Sequence, residues 1–256
     1  MTVLFGSLLH TVKLKWLNIP VSHSWETPLI AVIVAAHNQE DHILACLASI
    51  SIAARCPNLK GERVVTFVAL DDCTDSTRSV VQRTGVTMIS LTARNVGAAR
   101  ALGAQLALAA GARWLAFTDA DTEVAPDWLS AQAAQSSDAV CGTVAVSDEG
   151  MYGRKMGMQF AETNNDADGH KHLCGANLGV CARAYERAGG FKFSDSGEDA
   201  ALVKSLQSTG ASIVWSTAPH VWTNSRRHYR APGRAKEMLA RVERESSERH
   251  MATADA

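Results

Sequence analysis

The chain has 256 residues, enough for one large α/β domain with a proper core and short for two independent ones. Its hydrophobic share of 46% is ordinary for a globular protein, and a formal net charge of −1 gives no overall field to draw in a polyanion, which argues against nucleic acid as a main partner. Six scattered cysteines with no CxxC pair fit the reduced thiols of a cytoplasmic protein better than disulfides or a zinc site.

Residues 1–28 read as an N-terminal extension. Within 1–20, Leu4, Phe5, Leu8, Leu9, Val12 and Trp16 recur at helical spacing with Lys13 and Lys15 close by, a pattern compatible with weak contact to a membrane surface. A helix packed on its own domain, or a poorly ordered extension, is the commoner fate of such a segment. No signal peptide and no apolar run of bilayer-spanning length is visible, so a soluble protein is expected.

Beyond the extension, strands and helices alternate. Leu29 to Ala36 is an apolar strand ending at His37-Asn38, and Ile43, Leu44, Leu47 and Ile50 then fall on one helical face, with Asn38 available as N-cap. Val64 to Leu70 is a second buried strand, ending at Asp71-Asp72 and followed by a short helix through Val80 and Val81. Val86 to Leu91 is a third, and the Ala- and Leu-rich segment from Gly97 to Ala110 is a helix with Gly111 as its natural stop. Trp114 to Thr118 is a fourth strand, running into Asp119 and Asp121. After Pro126 come a helix over Asp127 to Gln135, a strand over Ala139 to Val146 and an irregular polar stretch from Gly150 to His172. Next are Gly175 to Arg183, the Gly189-Gly190 turn, a helix opening at Gly197-Glu198-Asp199 and a strand over Ser212 to Thr217. The alternation predicts an α/β fold: a mainly parallel, Rossmann-like sheet in a single domain, covered by helices on both faces. Ligands of such sheets bind outside the carboxyl ends of the strands, where His37, Asn38, Asp71, Asp72, Asp119 and Asp121 all fall.

Two carboxylates at a strand end cost several kcal/mol to bury unpaired, so they need a partner. Their hard oxygens suit Mg²⁺ or Mn²⁺, which in turn suits a diphosphate. A lone Asp-x-Asp is common, and capping the next helix explains most of them; the motif here has company.

Five segments in order carry a resemblance: "IAVIVAAHNQEDHILACLASI", "VALDDCTDST", "ARNVGAARALGAQLA", "FTDADTEVAPDWL", and "GANLGVCARAYERAGGF" followed by "SGEDAAL". Together they resemble the family 2 glycosyltransferases, inverting enzymes of the GT-A fold that use nucleotide-diphosphate sugars. The resemblance runs from about Leu29 to Arg230. It implies a GT-A domain over residues 29–233, with 234–256 a charged C-terminal helix and tail. It also implies transfer of a sugar, from a donor that is a uridine diphosphate sugar in many relatives, to an acceptor hydroxyl that the sequence does not identify.

Residue by residue, the resemblance implies that Ala35, His37 and Glu40 line the nucleoside pocket, that Asp72 bonds the base, and that Arg100 lies near the base or diphosphate. Asp119 would hold the ribose or sugar region, and Asp121 would ligate a Mn²⁺ or Mg²⁺ ion, with Asp119 beside it. Asp199 would be the general base, supported by Glu198. Inversion needs one base on the face opposite the departing diphosphate, while a metal and arginines stabilise the charge that leaves.

The chain also departs from the family's pattern. His37 stands where a tyrosine is usual, and "TNSRRHYR" stands where processive members carry Gln-x-x-Arg-Trp, which favours a single-addition enzyme. His228 or His220 is a candidate to complete the metal shell, although histidines are more often packing or surface residues. The basic cluster Arg226, Arg227, His228 and Arg230 suits a diphosphate, with Arg227 the candidate ligand, but equally suits a solvated face. Trp114 and Trp215 read as core, Trp128 as a possible neighbour of the sugar, and Asp75 and Asp127 as helix caps.

Two rival readings stand beside the transferase. "LAFTDADTEV" also resembles the aspartyl-phosphate motif of haloacid-dehalogenase-type phosphatases, with Asp119 as nucleophile; that motif normally opens its domain, whereas three strand-helix units precede it here. A non-catalytic nucleotide-sugar-binding domain is the other, and the presence of both Asp121 and Asp199 speaks against it.

Overall fold

The computed structural model describes residues 29–147, 168–169, 173–194 and 196–224. The extension at 1–28, most of 150–172, the basic cluster with Arg227 and His228, and the charged C-terminal segment lie outside the described residues.

The β-branched and apolar runs form the expected parallel strands: β1 (Leu29–Ala36), β2 (Arg63–Asp71), β3 (Thr87–Leu91) and β4 (Ala112–Asp119), in spatial order β3-β2-β1-β4. The sheet then continues through β7 (Leu178–Cys181), β6 (Ala139–Ser147), β8 (Ile213–Asn224) and β5 (Thr122–Val124), giving the order β3-β2-β1-β4-β7-β6-β8-β5. β7 is antiparallel to both β4 and β6, β8 runs parallel to β6, and β5 closes antiparallel on β8. The result is the mainly parallel α/β sheet expected, with an antiparallel seam at its centre.

Alternate residues of each strand feed two cores. On one face, Ile33, Phe67, Leu115, Phe117 and Leu178 pack against α3 (Val96–Ala109), α5 (Ala182–Arg187) and α6 (Glu198–Ser208). On the other, Ile30, Val32, Val68 and Trp114 pack against α1 (Ile43–Ala53), α2 (Thr77–Thr84) and α4 (Trp128–Ala133). Fully burying each such side chain stabilises by about 1.5–3 kcal/mol. α3 comes unusually close to the sheet at Gly103, where a Cβ would fall 2.6 Å from the Ile33 side chain.

Three expectations need correction. The last strand does not stop at Thr217 but runs on to Asn224 through Pro219. Proline normally ends a ladder because it has no N–H, and here the pairing with β6 shifts register between Cys141 and Thr143 to pass it. Asn38 is not the cap of α1: the cap position is His42, without a side-chain bond. Asp127 occupies the cap position of α4, also without one. All six cysteines are free thiols. Among the described residues no helix is long and apolar enough to cross a membrane.

Candidate active site

The parallel register brings the strand ends to one edge. Ala35 of β1 lies in register with Ala69 of β2 on one side and with Asp119 of β4 on the other, and Asp71 of β2 pairs with Leu91 of β3. Asp72, just past β2, and Asp121, just past β4, therefore belong to the same rim.

The loops of that rim hold one another. Asn38 Oδ1 accepts from the backbone N–H groups of Thr74 (2.8 Å) and Asp75 (3.4 Å), Glu40 Oε2 accepts from the Ser76 N–H (2.7 Å), and Asp75 Oδ2 accepts from the Glu40 N–H (3.1 Å). This explains why Asn38 is unavailable to α1: its side chain ties the β1 loop to the β2 loop, from a left-handed backbone with φ of 50° that asparagine tolerates. Asp75 Oδ1 also accepts from Thr77 N–H at 3.0 Å, but the cap position of α2 is Ser76, without a side-chain bond, so Asp75 is not the cap expected of it. His37 is exposed, and its ring Nδ1–H donates to the Asp71 carbonyl at 2.7 Å, which fixes the imidazole over the end of β2.

Asp71 and Asp72 take different tasks. Asp71 is 4% exposed; its Oδ1 accepts from the N–H groups of Ala93 and Arg94 and its Oδ2 from that of Asn95, so one carboxylate shapes the whole loop into α3. Asn95 then caps α3 by accepting from the Ala98 N–H at 2.9 Å. Asp72, partly exposed and with φ of 49°, faces the rim and pairs with the exposed guanidinium of Arg94.

The centre of the site is Arg100. Its Nη2 donates to Asp119 Oδ1 and its Nη1 to Glu198 Oε1, each at 2.6 Å, and the side chain is only 3% exposed. Burial alone would lower its pKa, but the adjoining carboxylates of Asp119 and Glu198 more than reverse this and hold it raised. Arg100 therefore neighbours the rim through Asp119. Glu198 and Asp199 open α6, behind a left-handed Gly197 with φ of 70°. The Asp199 carboxylate is partly exposed and accepts from two backbone N–H groups, Ala200 at 2.7 Å and Gly175 at 3.0 Å. Gly175 has no room for a side chain, since a Cβ would fall 2.2 Å from Arg100 Nη1.

Asp121 is 8% exposed, its backbone carbonyl accepts from the Asn224 N–H at 3.1 Å, and Thr122 Oγ1 approaches its Oδ1 at 3.4 Å. Asn224 also donates through Nδ2 to His42 at 3.2 Å, so the end of β8 closes beside the acidic loop. His220 lies four residues back along β8, roughly 13 Å at strand rise, beside the edge of Trp222, which places it away from Asp121. Among the described residues, no group of three or more His, Cys, Asp or Glu side chains is arranged to hold a metal ion. Trp128 is fully buried and donates through Nε1 to Asn177 Oδ1 at 2.8 Å, which removes it from any sugar site. Trp114 is buried and Trp215 partly buried against the core, as expected.

Several residues of this arrangement escaped the sequence reading. Asn177, fully buried, donates to the carbonyls of Thr143 and Pro219 at 2.8 Å each and so stitches the seam behind the site. Arg94 is another, and Asp71, named as a strand-end residue, was not foreseen as the carboxylate that shapes the loop into α3. The one visible signal was an asparagine or aspartate set inside an apolar run, which by itself does not name its partner. Burial pushes the nearby Cys141 thiol up to about 12, with the charge of Asp199 adding to the effect, so it is a protonated core group.

A twisted α/β sheet with carboxylates from β2, β4 and α6 along its rim is the architecture of a GT-A glycosyltransferase. The glycosyl transferase family 2 model matches residues 31–188, and the chain belongs to that family. Similar solved structures include S. aureus TarS residues 1–349 in complex with UDP-GlcNAc, at 16% identity and a TM-score of 0.57, with 78% of this chain and 59% of that one covered. The same TarS segment in complex with UDP gives 15% identity and a TM-score of 0.57, with 76% and 60% covered. At such identities the likeness shows the fold alone, and the chain spans about six-tenths of the length of these structures. Comparison with curated proteins gives no significant match.

Proposed function

We propose that the protein transfers a sugar, with inversion, from a uridine diphosphate sugar to an acceptor hydroxyl. The observation that carries this is the meeting, through Arg100 and Gly175, of a strand-end carboxylate and a helix-borne one: Asp119 and Asp199, distant in sequence, are tied to one guanidinium and the glycine resting on it. Family membership supports glycosyl transfer, and the UDP and UDP-GlcNAc held by TarS support uridine as the nucleotide.

In this reading Ala35, His37, Glu40 and Asp72 border the nucleoside, with Arg94 beside Asp72, and Asp119 faces the ribose or sugar. Asp199 accepts the proton of the acceptor hydroxyl; its two N–H partners aim the carboxylate without using up its acceptor capacity. Two oxygen-rich aspartates fit a hard divalent cation, Mn²⁺ or Mg²⁺, with Asp121 as its main protein ligand, because one Asp119 oxygen is taken by Arg100. Such an ion, when bound, neutralises charge on the diphosphate. Arg227 and His228 remain candidates for the same diphosphate and ion, within a catalytic domain over residues 29–233.

Titration of UDP, GDP and CDP by calorimetry, with Mn²⁺ and with chelator, tests the donor assignment. Metal-dependent binding of UDP that Asp121→Asn abolishes is expected. Equal binding of UDP by wild type and variant would overturn the role of Asp121, and preference for GDP or CDP would overturn the choice of nucleotide.

A further inference from the structure

Arg100 rises from α3, yet its two terminal nitrogens end on β4 and on α6. The fork is enclosed on every side described: the Phe191 ring centre lies 5.6 Å from Cζ, and the Gly175 backbone sits where any side chain would strike Nη1. The same Gly175 gives its N–H to Asp199. One planar guanidinium thus fixes the donor-side carboxylate Asp119, the first residue of α6, and the backbone that aims the next one.

Burying such a network is a poor route to stability, because well-packed apolar residues of similar volume usually do as well or better. What a guanidinium supplies is two-point geometry, which a lysine ammonium lacks. On the donor-and-base reading above, we propose that Arg100 is a positioning residue: it sets the spacing between Asp119 and the Glu198–Asp199 turn, with Gly175 as the surface that seats it. Glu198 acts through Arg100 in this scheme and does not touch substrate.

Arg100→Gln, Glu198→Gln and their combination, with Gly175→Ala, separate positioning from bulk stability. Arg100→Gln leaves Glu198 buried without its cation and is expected to lower the unfolding midpoint; the double variant removes that stranded charge and is expected to regain much of it. Turnover, read as UDP released from UDP-GlcNAc, is expected to stay in the double variant at the level of Arg100→Gln alone, about a hundredfold down, the loss that a misplacement of about 1 Å brings. Gly175→Ala keeps every charged group and is expected to lose kcat by a similar factor, with a smaller change in KM. Turnover that returns together with the midpoint, or that falls by the product of the two single losses, would overturn the proposal. Should wild type release no UDP from UDP-GlcNAc, the choice of donor fails, and amide exchange decides the positioning role. Faster exchange at Gly175 and Ala200 in the double variant, with Ile33 and Val68 unchanged, supports it; unchanged protection at Gly175 overturns it.

Discussion

Asp199→Asn is expected to lower sugar transfer by about 10²–10⁴-fold, the usual contribution of a positioned general base, while leaving nucleotide affinity unchanged. The substitution is isosteric. An asparagine at 199 keeps a carbonyl oxygen for only one of the Ala200 and Gly175 N–H groups and turns its NH₂ toward the other, which costs stability at this partly exposed turn, but the transfer is lost because it has no carboxylate to take the acceptor proton. Initial rates of donor turnover, set beside calorimetric titration of UDP, check both halves. A variant that transfers at the wild-type rate would exclude Asp199 as the base, and one that has lost UDP binding would show that its role lies in the donor site.

Asp71→Asn is expected to destabilise the fold by about 3 kcal/mol, the class of loss that follows when a buried charged acceptor is removed from its donors. Both Asp71 oxygens are used, Oδ1 by Ala93 and Arg94 and Oδ2 by Asn95. An amide can present an oxygen to the first pair only by turning its NH₂ toward the Asn95 N–H, donor against donor. Arg94 sits at φ 49°, and its N–H bond to Asp71 is among the contacts that hold that left-handed turn, so the loop carrying Arg94 toward Asp72 should loosen as well. Equilibrium urea unfolding measures the loss. A midpoint within experimental error of wild type would show that the loop does not depend on this carboxylate.

Two strand-end aspartates show what the sequence made legible. Asp71 and Asp119 were visible because a strand buried on both faces is a nearly continuous apolar run, and the first charge after it marks the strand's carboxyl end. Parallel topology then gathers those ends, so the rim itself followed from the alternation of elements. The division of labour between Asp71 and Asp72 did not follow, since it depends on which way each side chain leaves the backbone at a left-handed residue. Arg100 was legible as a site residue through its family resemblance, but its burial between Asp119 and Glu198 depends on how α3 and α6 meet. Spacing along the chain carries no information about that distance. The passage of β8 through Pro219 was missed because a local rule, that proline breaks a ladder, was overridden by a bulge opposite Cys141 and Thr143. Asn177 escaped for a related reason: the side-chain partners that hold it are far away in sequence.

The most direct test of the account is to follow the donor itself. The protein is incubated with UDP-GlcNAc and Mg²⁺, with a small alcohol present as surrogate acceptor so that the configuration of any glycoside formed stays fixed, and the products are observed by proton NMR. The account predicts release of UDP with a glycoside of anomeric configuration opposite to that of the donor, formed at least about a hundredfold more slowly by Asp199→Asn. A glycoside that retains the donor's configuration, or an Asp199→Asn protein that forms the product as fast as wild type, would contradict it.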